Sequence, residues 1–295
     1  IIMSFLMISA MFIILPRASV SAQRVAEVLS TEPAINDPKE PRSFDRKEKG
    51  TVEFKNVYFR YLGAEEDALK NISFKALPGQ TTAIIGSTGA GKTTLVNLIL
   101  RFYDVTSGQI LIDCMDIREV TQHELRDRIG YVPQKGVLFS GTIESNLKYA
   151  NENATREHIK KCAEIAQAME FINEKTEGFD SHIAQGGTNV SGGQKQRLSI
   201  ARALVKKPDI YIFDDSFSAL DFKTDAALRK ALKEHTGSST VIIVAQRIST
   251  IINADQIIVL DDGKIVGIGT HKELMENCAT YQEIALSQLS KEELA

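Results

Sequence analysis

Residues 86–93 read GSTGAGKT and fit the spacing G-x-x-x-x-G-K-[ST]. Across Gly86, Ser87, Thr88, Gly89, Ala90 and Gly91 the glycines let the backbone turn tightly, so that successive N–H groups point into one concavity suited to phosphate oxygens. Lys92 can reach β- and γ-phosphates as a point charge, and the Thr93 hydroxyl is a candidate Mg2+ ligand. The helix that opens here, with Thr94 in its first turn, offers its positive N-terminal end to the same anion. A tight turn alone would need none of this agreement between strand, loop, Lys-Thr pair and helix. The segment predicts a nucleoside triphosphate site.

Two further stretches carry candidate chemistry. IYIFDD, from Ile210, reads as the end of a buried strand that delivers Asp214 and Asp215 to a phosphate site. NVSGGQKQRLSIARAL, from Asn189, has Ser191 as a helix cap, then Gly192 and Gly193 as a bare first turn that a phosphate can approach. Gln194, Lys195 and Arg197 are expected on its exposed side, and Leu198, Ile200, Ala201 and Leu204 on its apolar stripe. Taken alone, this segment also reads as a capped helix in a polar loop.

These residues need a sheet to hold them. TVEFKNVYFRY (51–61) and LKNISFKA (69–76) alternate as strands of an antiparallel layer. TTAIIG (81–86) is a short apolar strand ending at the loop glycine, and DIYIFD, TVIIVA and QIIVLDD read as further buried strands between helical segments. That alternation predicts an α/β fold with a mainly parallel core sheet covered on both faces. Residues 124–207 are expected to be mostly helical and to form a lobe.

The compact domain is expected over residues 50–295, behind a linker at 30–49 that holds Pro33, Pro38 and Pro41 amid dense charge. Residues 1–29 differ. Residues 1–15 carry no charge and then meet Pro16, Arg17 and, further on, Arg24. Fifteen helical residues span about 22 Å, short of a hydrocarbon core of roughly 30 Å. The expectation is the inner end of a final transmembrane helix that begins outside this fragment, its arginines marking the cytoplasmic side. An amphipathic or buried N-terminal helix is the alternative.

Together with the phosphate loop upstream and Asp214 downstream, VSGGQ resembles the signature of ABC-type ATPases. The resemblance runs from about Gly50 to the chain end. Behind its hydrophobic helix, the whole looks like the C-terminal part of a multidrug-type ABC exporter half. It implies a P-loop NTPase fold of the ABC type, ATP and Mg2+ as cofactors, and ATP hydrolysis coupled to export. It also implies a cell-membrane location with the ATP-binding domain on the cytoplasmic side. Two such domains would face head to tail, each ATP lying between one phosphate loop and the other's Ser191, Gly192, Gly193 and Gln194. By the same resemblance Tyr61 stacks on adenine, and Gln134 of YVPQ touches Mg2+ and the attacking water and senses the membrane domain. Asp214 would hold Mg2+, and Asp221 of SALD would lie at the dimer interface. From the residues alone, Tyr61 can be a strand tyrosine packed on the sheet, Gln134 a loop residue and Asp221 a helix N-cap.

Two positions depart from the family's pattern. Asp215 stands where its general base, usually glutamate, belongs, so the carboxylate sits roughly 1.5 Å back on an unchanged backbone. A base must come within about 2.6–3.2 Å of its water, and a misplacement of about 1 Å can cost on the order of a hundredfold in rate. Gln246 stands where the family usually has a histidine on the γ-phosphate; an amide donates a hydrogen bond but cannot become cationic. The pair resembles the degenerate half of heterodimeric ABC exporters, with reduced hydrolysis at its own site and an intact signature serving a partner.

The implied partners are a second ABC half-transporter, the chain's own transmembrane domain, the membrane and an exported hydrophobic or amphipathic small molecule. A homodimeric exporter ATPase with Asp215 as working base and a soluble ABC ATPase are the alternatives. A formal net charge of −3 gives no reason to expect nucleic-acid binding. The three cysteines lack metal-ligand spacing and read as reduced thiols.

Overall fold

The computed structural model describes residues 1–44 and 49–288, which fall into two compact units, Ile1–Asn36 and Asp37–Ala295. What was expected of residues 45–48 in the linker and of 289–295 at the domain end lies outside the described residues. The first unit is built on one helix, α1 (Ile2–Leu29), of 28 residues. Its most apolar stretch has a mean hydropathy of 1.8, and its side chains are exposed. At about 1.5 Å per residue it spans about 42 Å. The helix continues through Pro16, whose ring removes one N–H from the ladder without ending it. By length and composition α1 can cross a membrane.

The second unit begins with an anchored strap, well before Gly50. The Asp37 carboxylate accepts from the Gln122 N–H at 2.8 Å, and Arg42 pairs with Glu119 at 2.7 Å. Phe44 donates its N–H to Glu124 and lies buried under the Arg128 guanidinium, 4.5 Å from its ring centroid.

Strands β1 (Val52–Phe59), β2 (Leu69–Ala76), β4 (Ser107–Ile112) and β5 (Met115–Asp116) form the antiparallel layer in the order β2-β1-β4-β5. The core sheet joins β3 (Thr81–Gly86), β6 (Ile129–Val132), β9 (Ile210–Asp214), β10 (Thr240–Val244), β11 (Gln256–Asp261) and β12 (Lys264–Gly269). Their order is β12-β11-β3-β10-β9-β6, parallel except for β12 on the edge. A short ladder pairs β7 (Gly141–Thr142) with β8 (His182–Ile183).

Side chains of the core strands alternate between two apolar cores, as a strand's period of two requires. Ile210, Ile212, Ile242, Val244 and Ile258 face one core, which also takes in the antiparallel layer and α2 (Lys92–Ile99). Tyr211, Phe213, Val241, Ile243 and Ile257 face the other. That second core holds residues of α4 (Ile143–Lys148), α5 (Arg156–Ile165), α6 (Met169–Glu174), α7 (Gly192–Lys206) and α8 (Phe222–His235). It also takes in α9 (Ile248–Ile251), α10 (His271–Asn277) and α11 (Ala279–Gln288), while α3 (Gln122–Asp127) packs beside β6. Burying one such Ile or Phe side chain contributes about 1.5–3 kcal/mol, so the sheet is held from both faces.

The stretch expected to be a helical lobe is therefore not uniform. Four of its residues, Ile129–Val132, form β6 on the edge of the core sheet. Arg197 departs from the exposed side assigned to it: its guanidinium lies 4.9 Å from the Phe171 ring and donates to the Gln167 carbonyl. Stacking on an aromatic face hides an arginine better than a helical wheel foresees.

Candidate nucleotide site

Four neighbouring parallel strands, β3, β10, β9 and β6, end on the same side of the sheet, and every residue of the cluster sits at or just beyond those ends. Parallel sheets place ligands there because the strand ends, not the packed faces, are free. β3 delivers the phosphate loop. Gly86 needs to be glycine, because a Cβ would come 2.1 Å from the Leu260 carbonyl oxygen. Gly91 has φ 100° and would drive a Cβ to 2.6 Å from Leu69. Gly91 caps α2 with no side-chain bond, and the first turn of α2 holds no acid, so that helix end keeps its positive character.

Lys92 turns back over its own loop, donating to the Gly86 and Ser87 carbonyls at 2.7 Å each. Burial draws its amine below the usual lysine range, against the pull of Asp215 and Asp214. Thr93 hydrogen-bonds Asp214, whose carboxyl burial holds above the usual range; the neighbouring Asp215 charge adds to the rise, and Lys92 opposes it. Thr93 and Asp214 are hard oxygen donors of the kind Mg2+ takes, and Gln134, bonded to the adjacent Asp215, carries a third in its side-chain carbonyl. Among the described residues no group of three His, Cys, Asp or Glu gathers to hold a metal alone. A cation here would complete its shell with phosphate oxygens and water.

Asp215 follows the tip of β9, buried, in the left-handed region at φ 48°. Its Oδ2 accepts two amides: Gln134 Nε2 at 3.0 Å, from the loop after β6, and Gln246 Nε2 at 2.8 Å, from the loop after β10. The strands on either side of β9 thus converge on one carboxylate oxygen. The structure joins Lys92, Thr93, Asp214, Asp215, Gln134 and Gln246 into a single cluster.

Tyr61 lies just past β1, half-buried, its hydroxyl 2.9 Å from Thr94 Oγ1. Its ring meets Phe59 and Tyr103 edge-on, at centroid distances of 4.7 and 5.3 Å. Ser191 caps α7 in a reciprocal box with Gln194: its Oγ accepts the Gln194 N–H at 3.2 Å, and Gln194 Oε1 accepts the Ser191 N–H at 3.0 Å. A Cβ on Gly192 would meet nothing within 4 Å, so that turn is open. Ser191 and Gln194 use their side chains on each other rather than on the cluster around Asp215. Asp221 caps α8 by accepting the Thr224 N–H at 3.0 Å.

Sequence reasoning missed Gln196. Buried in α7, it donates to the Pro133 carbonyl at 3.1 Å and accepts the Gly136 N–H at 3.2 Å, holding both sides of Gln134. The signal was faint: a glutamine between Lys195 and Arg197, one turn ahead of the apolar Ile200.

An α/β body with a phosphate loop, two strand-end aspartates and a glycine-opened helix defines a nucleoside-triphosphate-binding class of protein. The family model described as ABC transporter matches residues 69–218. An uncharacterized ABC transporter ATP-binding protein of Mycobacterium tuberculosis is 48% identical over 291 residues, 98% of this chain and 50% of that protein. An ATP-dependent lipid A-core flippase of Haemophilus influenzae is 44% identical over 243 residues, 82% of this chain and 41% of the flippase. Among solved structures, a bacterial Atm1-family ABC exporter with ATP bound superposes with a TM-score of 0.88 at 35% identity, covering 94% of this chain and 48% of the exporter. The chain belongs to the ABC transporter family, and its second unit has that family's ATP-binding fold. It spans about half the length of the curated relatives it matches.

Proposed function

We propose that this chain is the ATP-binding part of an ABC exporter subunit that holds Mg-ATP tightly but hydrolyses it slowly, while its signature serves the ATP of a partner subunit. The observation that carries the reading is Asp215: a short carboxylate whose Oδ2 is engaged by Gln134 and Gln246. Two amide donors occupy both lone pairs of that oxygen, which leaves Oδ1 alone to accept a proton from water. Lys92 would neutralise the β- and γ-phosphates, and Thr93, Asp214 and Gln134 would hold Mg2+, which supplies positive charge to the phosphates. Gln246 would donate to the γ-phosphate, and Tyr61 would lie against the adenine. Gly192 leaves the first turn of α7 open for the partner's phosphate, Gly193 lets that turn pass close to the Ala219 carbonyl, and Asp221 would stand at the same interface.

The membrane side of the reading rests on two surfaces. α1 would be the inner end of a transmembrane helix, with Arg17 and Arg24 on the cytoplasmic side. Beside Gln134, the side chains of Val137, Phe139 and Tyr149 are exposed, with Arg202 over Phe139 at 5.4 Å. Such a patch fits contact with the chain's own transmembrane domain. Flippase relatives handle lipid A-core, so an amphipathic molecule is the proposed cargo.

The test is single-turnover ATP hydrolysis by the full-length transporter with its partner. Ser191→Ala should reduce hydrolysis more than Asp215→Ala does. The opposite ranking would make Asp215 a working base, and the homodimeric reading would replace this one.

A further inference from the structure

Gln288, in the last described turn of α11, is tied to the segment that carries Gln246. Its Oε1 accepts the Ile248 N–H at 2.8 Å, and its Nε2 donates to the Gln246 carbonyl at 2.8 Å. An amide that gives to one residue's carbonyl and takes the N–H two residues on mimics a residue of a parallel strand paired with the residue between. That residue, Arg247, is extended, with φ −111° and ψ 131°. Arg247 is also the N-cap of α9 and offers no side-chain acceptor, so Gln288 satisfies an N–H that helix geometry leaves open. One side chain from the C-terminal helix thus fixes the backbone on both sides of Arg247.

The platform behind Gln288 is firm. Tyr281 and Ala285 are fully buried, and the Tyr281 hydroxyl lies 2.8 Å from His271 Nδ1. Positions 281, 285 and 288 are spaced four and three apart, so they share one face of α11. That face presses on the body and sets Gln288 against the loop after β10. The loop's own side chain, Gln246, then reaches Asp215 Oδ2 at 2.8 Å.

We infer that Gln288 is a positioning residue: it holds the backbone at 246–248 so that the Gln246 amide is aimed at the Asp215 and γ-phosphate end of the site. The inference rests on the proposed placement of Gln246 at the γ-phosphate. It gives the end of the chain a share in nucleotide discrimination, because only a triphosphate meets Gln246.

The experiment is equilibrium binding of Mg-ADP and of a non-hydrolysable Mg-ATP analogue to the full-length transporter, with Lys92→Ala defining the signal from any other site. Gln288→Ala should weaken the analogue about fivefold and leave ADP unchanged, as expected for a charged hydrogen bond partly lost through misaiming. Gln246→Ala should lower the same triphosphate preference, and the double variant should match Gln246→Ala alone, since both changes remove one contact. If Gln246→Ala lowers the preference and Gln288→Ala does not, the positioning role falls while the site reading stands. If Gln246→Ala leaves the preference intact, the γ-phosphate reading falls and takes the inference with it. Equal weakening of ADP and the analogue by Gln288→Ala would mark a general structural loss and overturn the positioning role.

Discussion

Gln134 and Gln246 end on the same oxygen of Asp215, yet the loops that carry them are secured in different ways. The Gln134 loop is bolted from inside: Gln196 is only 2% exposed, and a Cβ on Gly136 would come 2.8 Å from Ser199 Oγ. The Gln246 loop is held at the surface by exposed Gln288. A buried amide left without partners costs its full desolvation, whereas an exposed one exchanges its bonds for water. The first loop should therefore move only with α7, the helix that the signature opens. The second can release by a local change at the end of α11.

Loss of Lys92 removes what both loops attend to. Lys92→Ala should weaken ATP binding by about 3 kcal/mol, on the order of a hundredfold, with folding retained. Unchanged affinity in calorimetric titration would displace the site from between the two loops altogether. The next largest effect separates the loops themselves. Gln196→Ala should destabilise the protein by about 2 kcal/mol, because Pro133 and Gly136 lose their partner inside the body. Gln288→Ala should stay within about 0.5 kcal/mol, as surface changes do. Denaturant midpoints decide this, and equal losses would erase the contrast.

Asp214 tests the floor that the loops share. Burial raises its carboxyl pKa, so the folded state holds that proton more tightly than the unfolded chain. The ionised form thus costs stability in full above the raised pKa, and the cost fades as pH falls through that pKa and is gone below the unfolded value. Asp214→Asn should raise Tm at neutral pH while abolishing Mg2+-dependent ATP binding. The gain in Tm should vanish in acid, and a gain that persists there would point to packing instead of charge. The smallest effects belong to Tyr61, outside both loops. Tyr61→Ala should cost about 1 kcal/mol of adenine-nucleotide affinity, and Tyr61→Phe less, by as much as the Thr94 bond contributes. Two variants that bind like wild type would return Tyr61 to the aromatic cluster with Phe59 and Tyr103.

How far the sequence could be read follows from how local each feature is. The phosphate loop and the Ser191 cap impose their own backbone geometry within a few residues, so GSTGAGKT and VSGGQ announce themselves. The strands at 81–86, 210–214, 240–244 and 256–261 each hold a run of apolar residues, and the structure forms each of them. β6 was hidden because four residues, IGYV, sit between helical patterns and gain their identity only by pairing with β9. The linker reads as solvated charge, yet Asp37 and Arg42 find partners in Gln122 and Glu119 that no local pattern pairs with them. Gln196 and Gln288 were hard to see for the same reason. Each looks like an ordinary polar helix position, and its role lies in two backbone groups far along the chain.

The anchored strap fixes where a mechanical load would enter the ATP-binding body. Asp37, Arg42 and Phe44 grip Gln122, Glu119 and Glu124, at and just before α3. After α3 the chain runs through Arg128, which is pinned to Asp113 and Asp209, and through β6 to Gln134. Tension on the strap would thus reach the Asp215 carboxylate along a drive shaft of one short helix and one strand, steadied at Arg128 by the β4–β5 turn of the antiparallel layer.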